Sequence, residues 1–148
     1  MKTKNYTPRI AANDYLVLED AEGSVGDLIT IKTNTKTKKE VKEKIKTNNQ
    51  NWMKKFPFLK NKNTKIDMAI VIYRKPGFIK RQDLDNIAKV ILDALKGELF
   101  YDDSQVVRLL LYKMDASLIE GYNTDSLVIS FRIHKPNKQM ILINKKEI

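Results

Sequence analysis

The ten residues KIDMAIVIYR (65–74) constrain this chain more than any other stretch. Side chains along a strand alternate, so Ile66, Met68, Ile70 and Ile72 share one side while Ala69, Val71 and Tyr73 share the other. A strand apolar on both faces needs cover above and below, and that predicts a central place in a sheet. Pro76-Gly77 ends it. Next, Leu84, Ile87, Ala88, Ile91, Ala94 and Leu95 recur at helical spacing and predict a helix over about 86–96, with Gly97 just past its end. VVRLLLYKM and SLVISFRIH then read as two more strands. The turn-forming Gly121 and Asn123 between them predict an antiparallel pair.

The rest of the chain speaks more softly. Residues 1–24 give weak signals only: a short strand at YLVLE and a turn around Gly23 to Gly26. Part of that segment is expected to be mobile, leaving 25–148 as the folded domain. LITIKT (28–33) alternates like a strand. Thr37 followed by Glu40 has the spacing of a capping box, which opens a helix. Val41, Ile45, Trp52 and Phe56 then fall on one helical face, interrupted by the polar run TNNQN. The fold class is α+β: a mixed, mainly antiparallel sheet with two principal helices packed on it, in a single domain.

Several chemistries are excluded by what the chain lacks. Its 148 residues contain no cysteine and one histidine, His134, so a disulfide framework, a thiolate nucleophile and a histidine-rich zinc site are all ruled out. His134 ends a strand and takes no catalytic role. No apolar run approaches the roughly 20 residues of a membrane span, and MKTKNYTPRIAANDY lacks the apolar core of a signal peptide. A cytoplasmic protein without a membrane partner is expected.

Charge carries the functional signal. The formal net charge is +10, and residues 32–65 hold twelve lysines against Glu40 and Glu43. That imbalance favours contact with phosphates over a merely solvated helix face. Yet residues 80–103 hold six acidic side chains against four basic ones. Asp83 and Asp85 stand two apart. On a helix they would diverge by about 200°, but in an extended segment they face the same side. Because the apolar stripe starts just after them, Asp83-Leu84-Asp85 is expected to form an extended entrance to the helix. Asp102 and Asp103 precede the next strand. If that strand runs beside residues 65–74, their loop is expected to return toward the helix start, with one of the two pointing in. Such an all-oxygen cluster suits Mg²⁺ or Mn²⁺. The plainer reading is that aspartates cap helices and populate turns, and that Lys89 joins Asp85 and Asp93 in a surface ladder. In the functional reading Lys89 stabilises negative charge developing on a phosphorus centre.

Taken together, DLDNIAKVILDAL followed by GELFYDDSQV resembles the signature of the RusA-type Holliday junction resolvases. Order, spacing and several neighbouring residues agree at once. The resemblance is close over 81–107 and looser over about 65–134. It implies that 25–148 is a RusA-like nuclease domain, a divalent-metal-dependent endonuclease acting as a homodimer on four-way DNA junctions. The family's metal-binding carboxylates fall on Asp83, Asp85 and Asp103, its essential lysine falls on Lys89, and Asp102 matches a supporting acidic position. The N-terminal third departs from the pattern, with KTNTKTKKE where family members carry a proline-rich loop.

On this reading Mg²⁺ or Mn²⁺ is the cofactor and branched DNA the partner. Lys36, Lys38, Lys39, Lys42 and Lys46 meet the DNA backbone, joined by Lys80 and Arg81. Phe78, an aromatic among basic residues, wedges or stacks at the open centre of a junction; burial against a partner subunit is its other reading. Two alternatives stay open: a non-catalytic basic DNA-binding module, and a phosphohydrolase using DLD as a nucleophile motif. The latter needs its first aspartate at a strand end, and KPGFIKRQ intervenes.

Overall fold

The computed structural model describes residues 15–28, 38–43, 56–80, 83–97, 99–116 and 125–144. Strand β3 (Ile66–Arg74) is buried along all nine residues, as its two apolar faces require. A four-stranded sheet runs in the order β2 (Gly23–Leu28), β5 (Ser126–Ile133), β3, β4 (Val106–Asp115), with β3 inside. β5 is antiparallel to both β2 and β3, while β4 is parallel to β3. A second, two-stranded antiparallel sheet joins β1 (Leu16–Leu18) to β6 (Leu142–Asn144). The architecture is α+β with a mixed, mostly antiparallel sheet.

Each face of β3 has its own core. Ile66, Met68, Ile70 and Ile72 pack with Ile87, Ile91, Ala94 and Leu95 of helix α2 (Leu84–Leu95). Residues 38–43 form helix α1, whose Val41 is buried in that same core. On the other face, Val71 and Tyr73 pack with Tyr15, Val17 and Val128, and Leu142 and Ile143 close over them. Each fully buried aliphatic side chain contributes about 1.5–3 kcal/mol. The expected stripe of α2 is the buried one, and Gly97 at φ +83° ends the helix. The helix begins at Leu84, two residues earlier than its pattern predicts.

Two expectations are corrected. β4 and β5 are not paired with each other; they flank β3 on opposite edges. The chain leaves β3, returns along α2 and lays β4 parallel to β3, so β5 must take the free edge of the most buried strand. Gly23 to Gly26 lies in strand β2, not in a turn. Gly23 serves packing: a Cβ there would meet the Phe131 ring at 2.5 Å. The strand expected at 28–33 lies outside the described residues beyond Leu28, as do Ile45 and Trp52. Phe56 sits beside a short 3₁₀ turn (Pro57–Lys60), its ring edge-on to Phe131 at 5.2 Å.

One carboxylate lies within the apolar strand. Asp67 is fully buried, in register with Arg108 on β4 and Arg132 on β5. Arg108 donates from Nε to Oδ1 (3.0 Å) and from Nη2 to Oδ2 (2.7 Å), and Arg132 donates from Nε to Oδ2 (3.0 Å). His134 Nδ1 stands 2.8 Å from Oδ1. The arginines then reach outward, Arg132 to the carbonyls of Glu19 and Gln139, Arg108 to those of Lys135 and Lys138. Burial alone would raise the Asp67 carboxyl. Hydrogen bonds from Arg108, His134 and Arg132 overcome that and hold it well below the usual carboxylate range.

A carboxyl depressed in the folded state stabilises the fold above its ordinary value of 3.8 and loses that contribution as pH falls through its folded value. Wild-type stability, measured by urea unfolding, is therefore expected to decline progressively below pH 3.8. Asp67→Asn should cost about 3–5 kcal/mol at pH 7, since it leaves buried Arg132 without its counter-charge. The variant should also show a flatter acid limb.

Candidate active site

Both ends of α2 carry aspartates. Asp83 is its N-cap residue, extended at φ −74° and ψ 143°, and Asp85 lies in the first turn. The extended Asp83-Leu84-Asp85 entrance is thus corrected: only Asp83 is extended, because Leu84 is already helical and packs on the main core. Both carboxylates are exposed. Asp83 holds the cap position, yet its side chain makes no capping hydrogen bond. Lys89 is exposed one turn further on, and the 85–89–93 ladder is not formed among the described residues. Two acids and a lysine therefore face solvent from the first two turns, with no side-chain hydrogen bond or ion pair among the described residues.

The other pair divides its labour. Asp102 opens a 3₁₀ turn (Asp103–Gln105) and accepts from the Ser104 N–H at 3.0 Å. Its own N–H donates to Gln105 Oε1 at 2.9 Å, which completes a capping box. Lys96 Nζ sits 3.1 Å from its other oxygen. Hydrogen bonds from Ser104, with help from Lys96, lower the Asp102 carboxyl to about 2. Asp102 correspondingly raises Lys96. Buried Gln105 donates to the carbonyls of Leu59, Asn61 and Thr64 at 2.8–3.1 Å, tying the turn to the segment before β3. Asp103 is exposed, and among the described residues its carboxylate makes no hydrogen bond or ion pair. Gln105 was missed in the sequence, although Asp102 and Gln105 have capping-box spacing.

The distance between the two groups is set by topology. In a strand–helix–parallel strand unit the helix runs against both strands, so α2 starts where β3 ends and finishes where β4 starts. Twelve helical residues span about 18 Å. The Lys96–Asp102 contact ties the aspartate doublet to the far end of that span. The expected return of the Asp103 loop to the helix start is therefore corrected. Among the described residues no three His, Cys, Asp or Glu side chains gather closely enough to hold one metal ion.

The loop leading into α2 is bolted to the sheet. Arg74 and Asp125 form a buried pair at 3.0 Å, and Asp125 also accepts from the Lys75 N–H at 2.9 Å. Arg74 Nε donates to the Phe78 carbonyl at 3.2 Å. The turn between them is closed by Phe78 N–H to Lys75 carbonyl at 3.0 Å, with Gly77 at φ +85°. Lys75 Nζ lies 4.2 Å from the centre of the half-buried Phe78 ring. Arg74 and Asp125 were not singled out in the sequence. Lys80 is exposed beyond this turn. On α1, Lys38, Lys39 and Lys42 are exposed while Val41 is buried, so the helix turns its ammonium groups outward. Lys36, Lys46 and Arg81 lie outside the described residues.

Exposed carboxylates and exposed lysines thus share the surface of one basic α+β domain. A family model, Endodeoxyribonuclease RusA, matches residues 18–141. The chain belongs to the RusA endodeoxyribonuclease family, whose members cleave DNA. No curated protein matches the chain. No helix among the described residues is long and apolar enough to cross a membrane.

The division of labour around Gln105 is testable by thermal unfolding. Gln105→Ala should destabilise by about 1–3 kcal/mol, because carbonyls lose a buried donor and the cap loses its partner. Asp103→Asn should stay within about 0.5 kcal/mol of wild type, as an exposed side chain with no structural bond would.

Proposed function

We propose that this protein is a homodimeric, divalent-metal-dependent endonuclease that resolves four-way DNA junctions in recombination and repair. The observation that carries the reading is the exposure of Asp83, Asp85 and Asp103, none of them in a side-chain hydrogen bond or ion pair among the described residues, at the three carboxylate positions of the family motif. Their oxygens suit Mg²⁺ or Mn²⁺. Such an ion, when bound, supplies positive charge at the scissile phosphate and lowers the pKa of an attacking water. Asp83 and Asp85 would hold it from the start of α2, with Asp103 as the third ligand and Asp102 as its structural support. Lys89 would offset charge developing on the phosphate. Lys38, Lys39, Lys42 and Lys80 would carry the DNA backbone, with Phe78 stacking near the cut.

The length of α2 bears on how three carboxylates meet. One chain holds two of them at one end of the helix and the third at the other. Two copies related by a two-fold axis can bring Asp103 of one beside Asp83 and Asp85 of the other, forming two equivalent sites. A four-way junction requires two symmetric cuts, so two shared sites fit the substrate as well as the chain. The non-catalytic alternative would use Asp83 as a helix cap, and its carboxylate does not cap. The phosphohydrolase alternative needs an aspartate at the end of β3, where Arg74 stands.

With a synthetic four-way junction and Mg²⁺, the protein should introduce paired nicks and leave linear duplex intact. Asp85→Asn should slow cutting about 10²-fold or more while still retarding the junction on a gel. Loss of binding together with cutting would contradict separate roles.

Co-expression of Asp85→Asn with Asp103→Asn tests the sharing. Each variant alone should be inactive. A mixed dimer keeps one intact site if ligands come from both copies, and should nick a single strand of the junction. A site confined to one chain would leave the mixture inactive.

A further inference from the structure

We infer, resting on the junction-nuclease reading above, that Arg74 and Asp125 are positioning residues which aim the Phe78 ring at unpaired bases in the centre of a four-way junction. Arg74 ends β3, and Asp125 directly precedes β5. The β3–β5 register closes on Tyr73 opposite Ser126, so these two stand at the next opposed position. Both are buried, and Arg74 Nη1 donates to Asp125 Oδ2 at 3.0 Å. A buried ion pair adds little net stability over apolar side chains of like volume. Its outward bonds are more telling. Asp125 Oδ1 accepts from the Lys75 N–H at 2.9 Å, and Arg74 Nε donates to the Phe78 carbonyl at 3.2 Å. The pair is thus a clasp on the turn at residues 75–78.

That turn is itself stiff. The Phe78 N–H donates to the Lys75 carbonyl at 3.0 Å, with Pro76 in the second position and Gly77, at φ +85°, in the third. This is the pattern of a type II turn. Proline fixes its own φ, and glycine accepts a left-handed conformation that other residues resist. With its N–H and its carbonyl both tied, Phe78 has its Cα–Cβ direction fixed relative to the end of the sheet. Lys75 Nζ lies 4.2 Å from the centre of the half-buried ring, and the Arg74 guanidinium carbon lies 6.0 Å away. Cations against the ring hold it by their attraction to its π face. Asp83 follows five residues later.

A ring fixed beforehand loses little freedom when a base stacks on it. Stacking needs an open base face. A paired linear duplex presents none to a ring that cannot move, whereas the centre of a junction does. The clasp therefore selects branched DNA.

The test is a junction carrying 2-aminopurine at its centre, titrated in EDTA so that nothing is cut. Wild type should raise the fluorescence as the base unstacks. Phe78→Ala should abolish the rise and weaken junction binding about 10-fold. Arg74→Met/Asp125→Leu replaces the clasp with apolar side chains and should unfold within a few degrees of wild type, yet behave toward the junction as Phe78→Ala does. Adding Phe78→Ala to it should change nothing further, because both act through one ring. A folded clasp variant that keeps the full rise, or losses that add, overturns the inference. Should the clasp variant fail to fold, Gly77→Val decides: it has open space around it and strains only the turn. Loss of the rise then supports the clasp, and an unchanged rise overturns it. A wild type that cuts junctions without raising the fluorescence defeats the inference and spares the nuclease reading. Failure to cut junctions in Mg²⁺ defeats that reading, while the fluorescence, which needs binding alone, still decides the clasp.

Discussion

The fold depends on burying Ile66–Arg74 on both faces and along both edges at once. A strand so enclosed needs two cores, and the chain supplies α2 with α1 on one side and the β1–β6 pair on the other. It also needs neighbours on both edges, which draws β4 and β5 apart. Asp67 turns the same enclosure into a specific registration. A lone carboxylate there would be prohibitively costly, so β4 and β5 must present Arg108 and Arg132 at the matching positions. Through their remaining donors those arginines fix the Glu19 turn and the 135–139 segment. One buried charge thus aligns three strands and two connections.

The same topology governs the chemistry. Because β4 runs parallel to β3, the crossover through α2 separates its two acidic ends by the helix length. At one end Arg74, Asp125 and the Pro76-Gly77 turn hold the approach to Asp83. At the other, Asp102 and Gln105 lock a turn that leaves Asp103 exposed. Each end is firmly held by its neighbours, and the two acidic groups stand at opposite ends of α2. A basic protein can hold its DNA with lysines spread over a surface, but it needs carboxylates concentrated at a point. A second copy, as proposed above, would supply that concentration.

Much of this was legible in the sequence where the signal is local. The double apolar alternation of residues 65–74 announced a central strand, and the stripe of α2 announced its buried face. Gly97 marked its end. What misled was context that only tertiary structure supplies. Neighbouring strands 106–115 and 126–133 read as a hairpin, but the crossover had already claimed one edge of β3. Gly23 and Gly26 read as a turn, yet the Phe131 ring requires bare backbone at Gly23. The DLD and DDSQV motifs named the candidate carboxylates. Their placement depended on strand direction, which no short motif encodes, and the partnership of Asp67 with two distant arginines depended on register.

Anomalous diffraction from crystals grown with Mn²⁺ tests the central claim most directly, because it locates the ion and its ligands together. The account predicts manganese density at the start of α2, bound by Asp83 and Asp85 of one protomer and by Asp103 of the partner subunit. Manganese held by Asp83, Asp85 and Asp103 of a single chain, or seated on Asp102 away from α2's first turn, would contradict it.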